Sequence, residues 1–458
     1  MKVLKFGGTS VRDAKAIQNV IDIVTARHSC PLLVVVSACG GVTNSLLACI
    51  EDAAKGHVRE ARGTLAALRE RHLDIANDLI DGSHGVEFVD QLRQDCLKLE
   101  RALQSISVAR SASAQALDEI VSFGERWSSR LLCYALAQHG LPVALVDARK
   151  VLITNHEFSK ATPVFEETNL RVRELMLPLL QQGRVVVTQG FIGSTRSRLT
   201  TTLGRGGSDY SASIFGSALD ADEIQIWTDT DGILTADPSI TPGAMPLREI
   251  SVEEATELAH FGARVLHPST LAPAMSQHIP VHLLNSMNPF FPGTLVKPTN
   301  GMQLADNPGV KSITGKKGLC TVAIRKDKRM NTFHFLQHVF DVLQSHKKGV
   351  EFISNSETGV LVLTNDEDDH SSFIEELRHH EGVDIRDKLA IVCVVGRFAN
   401  GEQSILSRVQ HALLKAHIPI YLSYNGISKH SVAVVVEGER FEEAVRLLHA
   451  QLIDEGTR

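Results

Sequence analysis

The sequence predicts an α/β fold in which a mainly parallel central sheet is followed by two smaller α+β units. The opening order is the first observation behind this prediction. An apolar strand ends at Phe6, apolar positions recur at helical spacing over residues 14–24, and the apolar run at 31–36 suits a strand covered on both faces. Similar apolar runs return at 142–147, 184–188 and 223–227. Strands that alternate with helices in this way form parallel sheets.

Helical periodicity dominates residues 44–136, which predicts a layer of helices set against the sheet. Farther on, Ser251 and Glu254 fit a capping box and predict a helix that ends near Phe261. The stretch 288–309 contains four prolines, three glycines and three asparagines, a composition that predicts a domain boundary.

A different order of elements begins after residue 309 and occurs twice. The predicted strands are 319–324, 350–354 and 359–363, and the predicted helices are 333–343 and 371–380. A shift of 70 positions superposes these pairs: Val339 and Val409, Leu343 and Leu413, Asn355 and Asn425. Two copies of a β-α-β-β-α-β unit explain the match, and chance agreement between two ordinary α+β stretches is the alternative.

Composition excludes several classes of protein. The chain has 458 residues, of which 43% are apolar and 22% charged, so disorder, collagen and coiled coil are excluded as descriptions of the whole. A formal net charge of −6 gives no global basic field, and small molecules or proteins are expected as partners rather than nucleic acid or a membrane. The seven cysteines include no C-x-x-C pair and the histidines no H-E-x-x-H pattern, so no metal is assigned to direct protein ligands. Without a signal peptide or an apolar stretch of ~18–20 residues, the predicted compartment is the cytoplasm.

Two glycine-rich loops are candidates for chemistry. Lys-Phe-Gly-Gly-Thr-Ser at 5–10 follows the first strand, where backbone N–H groups and Lys5 can meet phosphate oxygens. A tight turn with no ligand explains this pattern equally well. Residues 200–209 form a stronger candidate, since three glycines can wrap an anion while Arg205 offers a bidentate fork to a carboxylate. Asp209 opens the next helix, for which a simple favourable cap is the alternative.

Acidic residues mark two further segments. Residues 227–238 follow a strand at the end where open parallel sheets bind ligands, and Asp229, Asp231 and Asp237 suit a nucleotide or its metal. An Asp/Gly turn is the alternative, and an EF-hand is excluded because its distal Glu is absent. Taken alone, Glu125 is interpreted as a residue on a solvated helix face.

Seven segments in this order resemble the aspartate kinases of the amino acid kinase family: residues 5–10, 36–44, 123–125 (Phe-Gly-Glu), 188–191 (Thr-Gln-Gly-Phe), 201–209 (Thr-Thr-Leu-Gly-Arg-Gly-Gly-Ser-Asp), 227–229 (Trp-Thr-Asp) and 261–268 (Phe-Gly-Ala-Arg-Val-Leu-His-Pro). The tandem repeat resembles the paired ACT regulatory units of this kinase. The resemblance implies a three-layer α/β/α catalytic domain over 1–295, a linker over 296–310 and a regulatory domain over 311–458. Within the last, two interleaved βαββαβ units are expected at 315–385 and 388–455.

By the same resemblance, the chain transfers the γ-phosphoryl group of ATP, supplied with Mg²⁺, to the side-chain carboxylate of L-aspartate. The product is 4-phospho-L-aspartate, on the route to lysine, threonine and methionine. Lys5 would stabilise the transferred group and Asp209 would organise the cations, while Glu125 would bind the amino group of aspartate. The other implied substrate contacts are Thr43, Arg205, Gly206, Gly207 and Ser208. The implied nucleotide contacts are Lys5, Phe6, Gly7, Gly8, Ser37, Thr228, Asp229, Leu234, Ser239 and Arg264.

Three of these nucleotide contacts depart from the family pattern. Leu234 replaces a usual Tyr, Ser239 a usual Arg, and Arg264 a usual Lys. A stacking ring and a cation are thereby lost, so the resemblance defines nucleotide recognition less well than aspartate recognition. Ordinary variation at tolerant contacts is the alternative.

Regulation by lysine or threonine is also implied by the resemblance. The corresponding effector residues are Met330, Asn331, Thr332, Asn355, Ser356 and Glu357, and the bulky Phe333 and His334 would close or reshape this pocket. Pairing of ACT units across chains predicts a homo-oligomer, a dimer or larger. Two alternatives stay open: a kinase of the same fold that acts on another acid, such as glutamate or its acetylated form, and a non-catalytic amino acid sensor.

Overall fold

The computed structural model describes residues 1–262, 268–297, 309–327, 330–346, 349–366, 371–377, 382–398, 401–425 and 429–454. The chain forms two compact units. The first comprises Met1–Ile233, Pro246–Val252 and Val265–Met302, and the second comprises Leu234–Met245, Glu253–Arg264 and Gln303–Arg458. This division differs from the expected boundary at 295, because two short segments that precede residue 295 belong to the second unit.

An eight-stranded sheet forms the centre of the first unit. Its strands are β1 (Lys2–Phe6), β2 (Leu32–Val36), β3 (Val143–Val146), β5 (Val185–Gln189), β8 (Glu223–Thr228), β9 (Glu249–Ser251), β10 (Val281–Asn285) and β11 (Thr294–Lys297). They are arranged in the order β3-β5-β2-β1-β8-β10-β11-β9, and all pairs except β10–β11 are parallel. The predicted parallel sheet is confirmed. A smaller sheet contains β4 (Ile153–Thr154), β6 (Ile192–Thr195) and β7 (Thr200–Thr202).

Helices cover both faces of the large sheet. They are α1 (Ala14–Arg27), α2 (Val42–Lys55), α3 (Val58–Leu79), α4 (Gly82–Ala109), α5 (Ala114–Val121), α6 (Phe123–Gln138), α7 (Phe165–Leu175), α8 (Leu177–Gln181), α9 (Gly207–Ala218) and α11 (Pro268–Ser276); α10 (Val252–His260) lies almost entirely in the second unit. Leu4 and Phe6 of β1 point into a core shared with α1–α6, the predicted helical layer. Val3 points to the other face, where a Cβ at Gly216 of α9 would lie 2.6 Å from Ile224. Glycine therefore lets α9 approach the sheet closely, which completes three layers.

The parallel register fixes where the site can form. Residues paired at one level are Phe6 with Val36 and Trp227, Val36 with Gln189, and Trp227 with Leu284. The residues that follow β1, β2 and β5 leave the sheet together at its carboxyl edge, where Thr228 ends β8; they are Gly7, Ser37 and Gly190. Ligands of open α/β sheets bind at this edge.

A six-stranded antiparallel sheet forms the second unit. Its strands are β12 (Gly309–Arg325), β13 (Val350–Ser356), β14 (Gly359–Asn365), β15 (Gly382–Arg397), β16 (Leu422–Asn425) and β17 (Ser431–Glu437), in the order β13-β14-β12-β15-β17-β16. Its helices are α12 (Thr332–Ser345), α13 (Ser371–Leu377), α14 (Glu402–Lys415) and α15 (Phe441–His449). No helix in the described parts of the chain has the length and apolar content that a membrane span requires.

The long strands β12 and β15 each serve two separate cores. The second half of β12 packs through Cys320 against α12 and α13. The first half pairs with 390–397 of β15 and contributes Ile313 to a core with α14 and α15. For this reason β12 begins at Gly309, earlier than the strand predicted from Leu319. Ala236 and Ile240 also pack into this second core, which explains why residues 234–245 belong to the second unit.

Candidate active site

A cavity of about 410 Å³ opens among loops at the carboxyl edge of the first unit's sheet. Ten of the predicted site residues line it: Lys5, Gly8, Ser37, Thr43, Glu125, Arg205, Gly206, Gly207, Ser208 and Asp209. Seven lining residues were absent from the prediction: Ala38, Cys39, Gly40, Gly41, Asn44, Phe191 and Gly204. All seven lie within segments that carried the family resemblance, so the motifs themselves held the signal that could have found them.

An ion pair between Lys5 and Asp209 lies in this cavity. Lys5 Nζ is 2.6 Å from Asp209 Oδ1, and the two side chains are only 11% and 16% exposed. Lys5 is the penultimate residue of β1, and Asp209 lies in the first turn of α9. The aligned peptide dipoles at a helix N-terminus favour negative charge there. The pair therefore places one ammonium group where anionic phosphate oxygens can bind.

Glu125 is buried, so its interpretation as a residue on a solvated helix face is wrong. The residue is 3% exposed in the first turn of α6, and its Oε1 accepts a hydrogen bond from Ala38 N–H at 3.3 Å. A Cβ at Gly124 would lie 2.8 Å from the Ala38 side chain, so glycine allows this close approach. Within the described parts of the chain, Oε2 has no hydrogen-bond partner.

Burial also determines the protonation of this carboxyl group. Loss of solvation raises the pKa of Glu125 to about 8, while the hydrogen bond from Ala38 acts in the opposite direction. A buried carboxylate without a partner is unfavourable until a donor reaches it. An ammonium group entering the cavity would supply both the missing donor and a compensating charge.

The loop before α9 carries an exposed cation on a tightly constrained backbone. Gly204 and Gly206 take positive φ angles of +77° and +73°, which glycine adopts without strain. A Cβ at Gly190 would lie 2.6 Å from that of Ser208, so the loop after β5 can lie against this one only with glycine at 190. Arg205 is exposed, and it makes no ion pair with any residue that the structure describes. Its guanidinium group is available to a ligand carboxylate.

Asp118, which the sequence did not single out, holds this loop in place. It lies in α5, is 1% exposed, and accepts four hydrogen bonds. Oδ2 accepts from the backbone N–H groups of Ser159 and Thr202, both at 2.9 Å. Oδ1 accepts from the hydroxyl groups of the same two residues, at 3.3 and 2.9 Å. Thr202 ends β7, two residues before the glycine loop, so Asp118 acts as a positioning residue for Arg205.

We expect Asp118→Asn to raise the KM for the acid substrate by about 10- to 100-fold, since a small displacement of a binding group can cost that much. The amide would present an N–H group where the carboxylate accepts hydrogen bonds. Steady-state kinetics would measure the effect, with the exposed Asp78→Asn as the matched control. An equal rise in the KM for nucleotide, or a lower melting temperature with no change in KM, would contradict a positioning role.

The predicted nucleotide contacts stay predictions, and the structure shows what several of these groups already contact. The Phe6 side chain is fully buried and stacks on Trp227 at 5.9 Å between ring centroids, so it cannot reach a nucleotide. The Gly7 N–H donates to the Trp227 carbonyl at 3.1 Å and is not free for phosphate. Thr228 and Asp229 lie at the end of β8, where the Thr228 hydroxyl donates to Asp229 at 3.1 Å.

Leu234 and Ser239 belong to the second unit, whereas Arg264 lies outside the described residues. The Leu234 carbonyl accepts from the Ser312 hydroxyl at 2.9 Å. The Ser239 N–H and hydroxyl both donate to Asp237 Oδ1, at 2.9 and 2.6 Å, which closes a local turn. The turn that was the alternative for Asp237 is therefore present, and nucleotide binding by these residues stays a prediction.

One predicted effector residue, Thr332, contacts a lysine that the sequence did not single out. Lys326 Nζ donates to the Thr332 hydroxyl at 2.9 Å, and its backbone N–H donates to the Thr358 carbonyl at 3.0 Å. Lys326 therefore contacts one effector residue directly and the residue that follows the segment 355–357. Phe333 is 81% exposed, and the closing or reshaping of this pocket by Phe333 and His334 stays a prediction.

Comparison with known proteins identifies the family to which the chain belongs. Residues 1–285 match the model of the amino acid kinase family, and residues 392–452 match that of the ACT domain. The chain belongs to the amino acid kinase family. The kinase is 34% identical to lysine-sensitive aspartokinase 3 of Escherichia coli over an alignment of 466 residues, gaps included, which covers 99% of each chain. It also superposes on two crystal structures of E. coli aspartokinase III, each 32% identical. The complex with aspartate and ADP (R-state) has a TM-score of 0.82, and the match covers 98% of this kinase and 99% of that chain. The complex with lysine and aspartate (T-state) has a TM-score of 0.83, and the match covers 99% of each chain.

Proposed function

We propose that this kinase uses ATP to phosphorylate the side-chain carboxylate of L-aspartate, giving 4-phospho-L-aspartate. The observation that carries the proposal is the buried, unpartnered Oε2 of Glu125, in one cavity with Arg205 and the Lys5–Asp209 pair. Aspartate carries one ammonium and two carboxylate groups. Glu125 suits the ammonium group and Arg205 the α-carboxylate, which leaves the side-chain carboxylate free to react.

The phosphoryl transfer requires no covalent bond between the substrate and the protein. The attacking oxygen belongs to a carboxylate that is already ionised, so no general base is needed. It forms a bond to the γ-phosphorus of ATP while the bond to the bridging oxygen breaks, and ADP leaves. Lys5 stabilises the negative charge on the transferred group, because a fixed ammonium in a confined site offsets that charge without reorganisation. Asp209 holds this ammonium in position.

A Mg²⁺ ion that enters with ATP fits the residues present. The described residues include no group of three or more His, Cys, Asp or Glu side chains that could hold a metal by themselves. Asp209 is a single carboxylate at the phosphate end of the cavity, and Mg²⁺ is commonly bound by one or two carboxylates together with substrate phosphates. The ion neutralises phosphate charge when it is bound.

An acyl phosphate assay tests the substrate assignment. Hydroxylamine traps acyl phosphates as hydroxamates, which form coloured complexes with ferric ion. The purified kinase would be incubated with MgATP and aspartate, glutamate or N-acetylglutamate. We expect product with aspartate alone. Product with glutamate or its acetylated form would assign another acid to the same fold, and no product with any acid would favour a sensor.

We propose lysine as an effector and a homo-oligomer formed through the ACT units. Support comes from the full-length similarity to a lysine-sensitive relative and from the contacts of Lys326 with Thr332 and Thr358. Adding lysine to the same assay should lower the rate, with threonine as the comparison. An unchanged rate and melting temperature with both amino acids would refute feedback control. Light scattering would report a monomer if the oligomer proposal is wrong.

A further inference from the structure

A second cavity in the first unit has a strongly cationic lining. Its volume is about 650 Å³, and it is lined by the turn at 147–150, by α7 and by the β6–β7 hairpin, with no residue in common with the candidate active site. Five side chains bring positive charge: Arg149, Lys150, Arg171, Arg196 and Arg198. Two bring negative charge, Asp147 and Glu167. The lining therefore has an excess of three positive charges, in a chain whose net charge is −6.

The two carboxylates are already engaged. Asp147 accepts two hydrogen bonds from the Arg149 guanidinium group, at 3.0 and 2.6 Å, and Glu167 binds Arg196 at 3.0 Å. Among the residues that the structure describes, the other three cations of the lining have no ion-pair partner; they are Lys150, Arg171 and Arg198. Like charges gathered around one concavity repel each other, so folding alone gives no reason to place them together.

The backbone presents one of these cations into the cavity in a defined way. Arg198 takes a φ of +64° at the tip of the hairpin. Its N–H donates to the Thr195 carbonyl at 2.8 Å, and the next N–H, of Leu199, donates to the Thr195 hydroxyl at 3.2 Å. The turn that carries Arg198 is thus fixed from both sides.

We propose that this cavity binds a small polyanion with two or three negative charges on phosphate or carboxylate groups. Guanidinium groups form paired hydrogen bonds with either group, and the volume lies within the range of small-molecule sites. Ile153 and Leu175 add an apolar part to the lining. A small molecule fits better than a nucleic acid, because the cations lie in one concavity and the chain as a whole is acidic.

Hydrogen bonds connect this cavity to the glycine loop of the candidate active site. Arg149 donates to the Thr200 hydroxyl at 3.3 Å, and its carbonyl accepts from the Ser194 hydroxyl at 2.7 Å. Thr200 begins β7, which leads directly into the loop that carries Arg205. A polyanion that draws Arg149 away from Thr200 should therefore change the KM for aspartate. This effect on KM rests on the proposed function, whereas binding of the polyanion does not.

Isothermal titration calorimetry of the full-length kinase with inorganic pyrophosphate and, separately, citrate tests the proposal. We expect saturable binding of at least one probe in magnesium-free buffer at low salt. The double variant Arg171→Ala/Arg198→Ala should bind about 10-fold more weakly or worse, while Arg59→Ala/Arg93→Ala, which removes the same charge from exposed positions on α3 and α4, should bind as the wild type does. All four side chains are exposed, so both variants should keep the wild-type melting temperature.

The two probes distinguish a phosphate ligand from a carboxylate ligand. A Lys5 variant distinguishes the second cavity from the active site. Binding of pyrophosphate alone assigns a phosphate ligand, and binding of citrate alone a carboxylate ligand. A Lys5→Ala enzyme that still binds the probe supports the second cavity, whereas loss of binding in that enzyme would place the probe in the active site and overturn the proposal. No saturable binding, or equal weakening in both double variants, would also overturn it. If the probe binds at fixed free Mg²⁺ without any change in the KM for aspartate, the coupling between the two cavities is refuted. The proposed binding site itself would still stand.

Discussion

Lys5→Ala should lower kcat for acyl phosphate formation by about 10²- to 10³-fold, the loss expected when one fixed charge-stabilising donor is removed. The Lys5 side chain is 11% exposed and its Nζ lies 2.6 Å from Asp209. In the proposed reaction it offsets the negative charge of the transferred group. Asp209 stays near a helix N-terminus that favours its charge, so the variant should fold normally. The measurement is kcat at saturating aspartate and MgATP, together with a melting curve.

Lys2→Ala is the matched control, because Lys2 lies on the same strand but forms an ion pair with Glu223 at 2.7 Å and does not line the cavity. This enzyme should keep its full rate. Lys5→Arg keeps the charge but changes its geometry and should recover only part of kcat. A Lys5→Ala enzyme with more than half the wild-type kcat would contradict the role given to Lys5.

The sequence could locate Lys5 and Asp209 because both lie in segments that carry the family resemblance. Loops that follow parallel strands meet at one edge of the sheet, which explains why Lys5, near the end of β1, lies at that edge. The register of β1 with β2 and β8 places Phe6 level with Val36 and Trp227. Glu125 was different. A glutamate among helix-forming residues is usually solvated, whereas the burial of Glu125 depends on contacts with Ala38, 87 positions earlier in the chain.

Long-range contacts account for the other differences. Asp118 and Thr202 are separated by 84 positions, and no local pattern marks a carboxylate that holds a distant strand. Likewise, Ala236 and Ile240 lie in a segment of turns. Isolated apolar residues in such a segment do not indicate which core they will join. Residues 309–317 were not predicted as part of a strand, because their pairing partner is the far half of β15. Periodicity reports which face of an element is buried but not what covers it.

Glu125→Gln should raise the KM for aspartate by about 100-fold, with a much smaller effect on the KM for ATP. The wild-type carboxylate offers a buried charge to the substrate ammonium group, and hydrogen bonds between charged groups are about twice as strong as neutral ones. The amide keeps the size and one acceptor but loses the charge. Glu119→Gln is the control, since Glu119 is 47% exposed and forms an ion pair with Arg126 at 3.5 Å. Equal KM values in the two variants would contradict the assignment.

The pH dependence of KM offers a second test of Glu125. With a pKa of about 8 in the free enzyme, the carboxyl group is mostly protonated at pH 6 and must lose its proton to bind an ammonium group. The KM for aspartate should therefore fall about tenfold per pH unit from pH 6 toward 8 and then level off. Glu125→Gln should remove this dependence. Rates of ADP release at pH 6 to 9 would measure it, and a wild-type KM that is constant over this range would contradict the prediction.

The stability of the fold should fall as pH rises, even though the affinity for aspartate increases. In the unfolded chain this carboxyl group has an ordinary pKa near 4.5, whereas burial raises the pKa to about 8 in the folded chain. Between these values the folded state binds more protons, so Glu125 lowers stability progressively as pH rises from about 4.5 to about 8, with no further loss above that. The glutamine variant has no such proton to lose. Its melting temperature should therefore exceed that of the wild type by a margin that grows from pH 5 to pH 8, and saturating aspartate should narrow this margin because it stabilises only the ionised wild-type site. A difference that is independent of pH would mean that the carboxyl group is already ionised in the folded enzyme at pH 5.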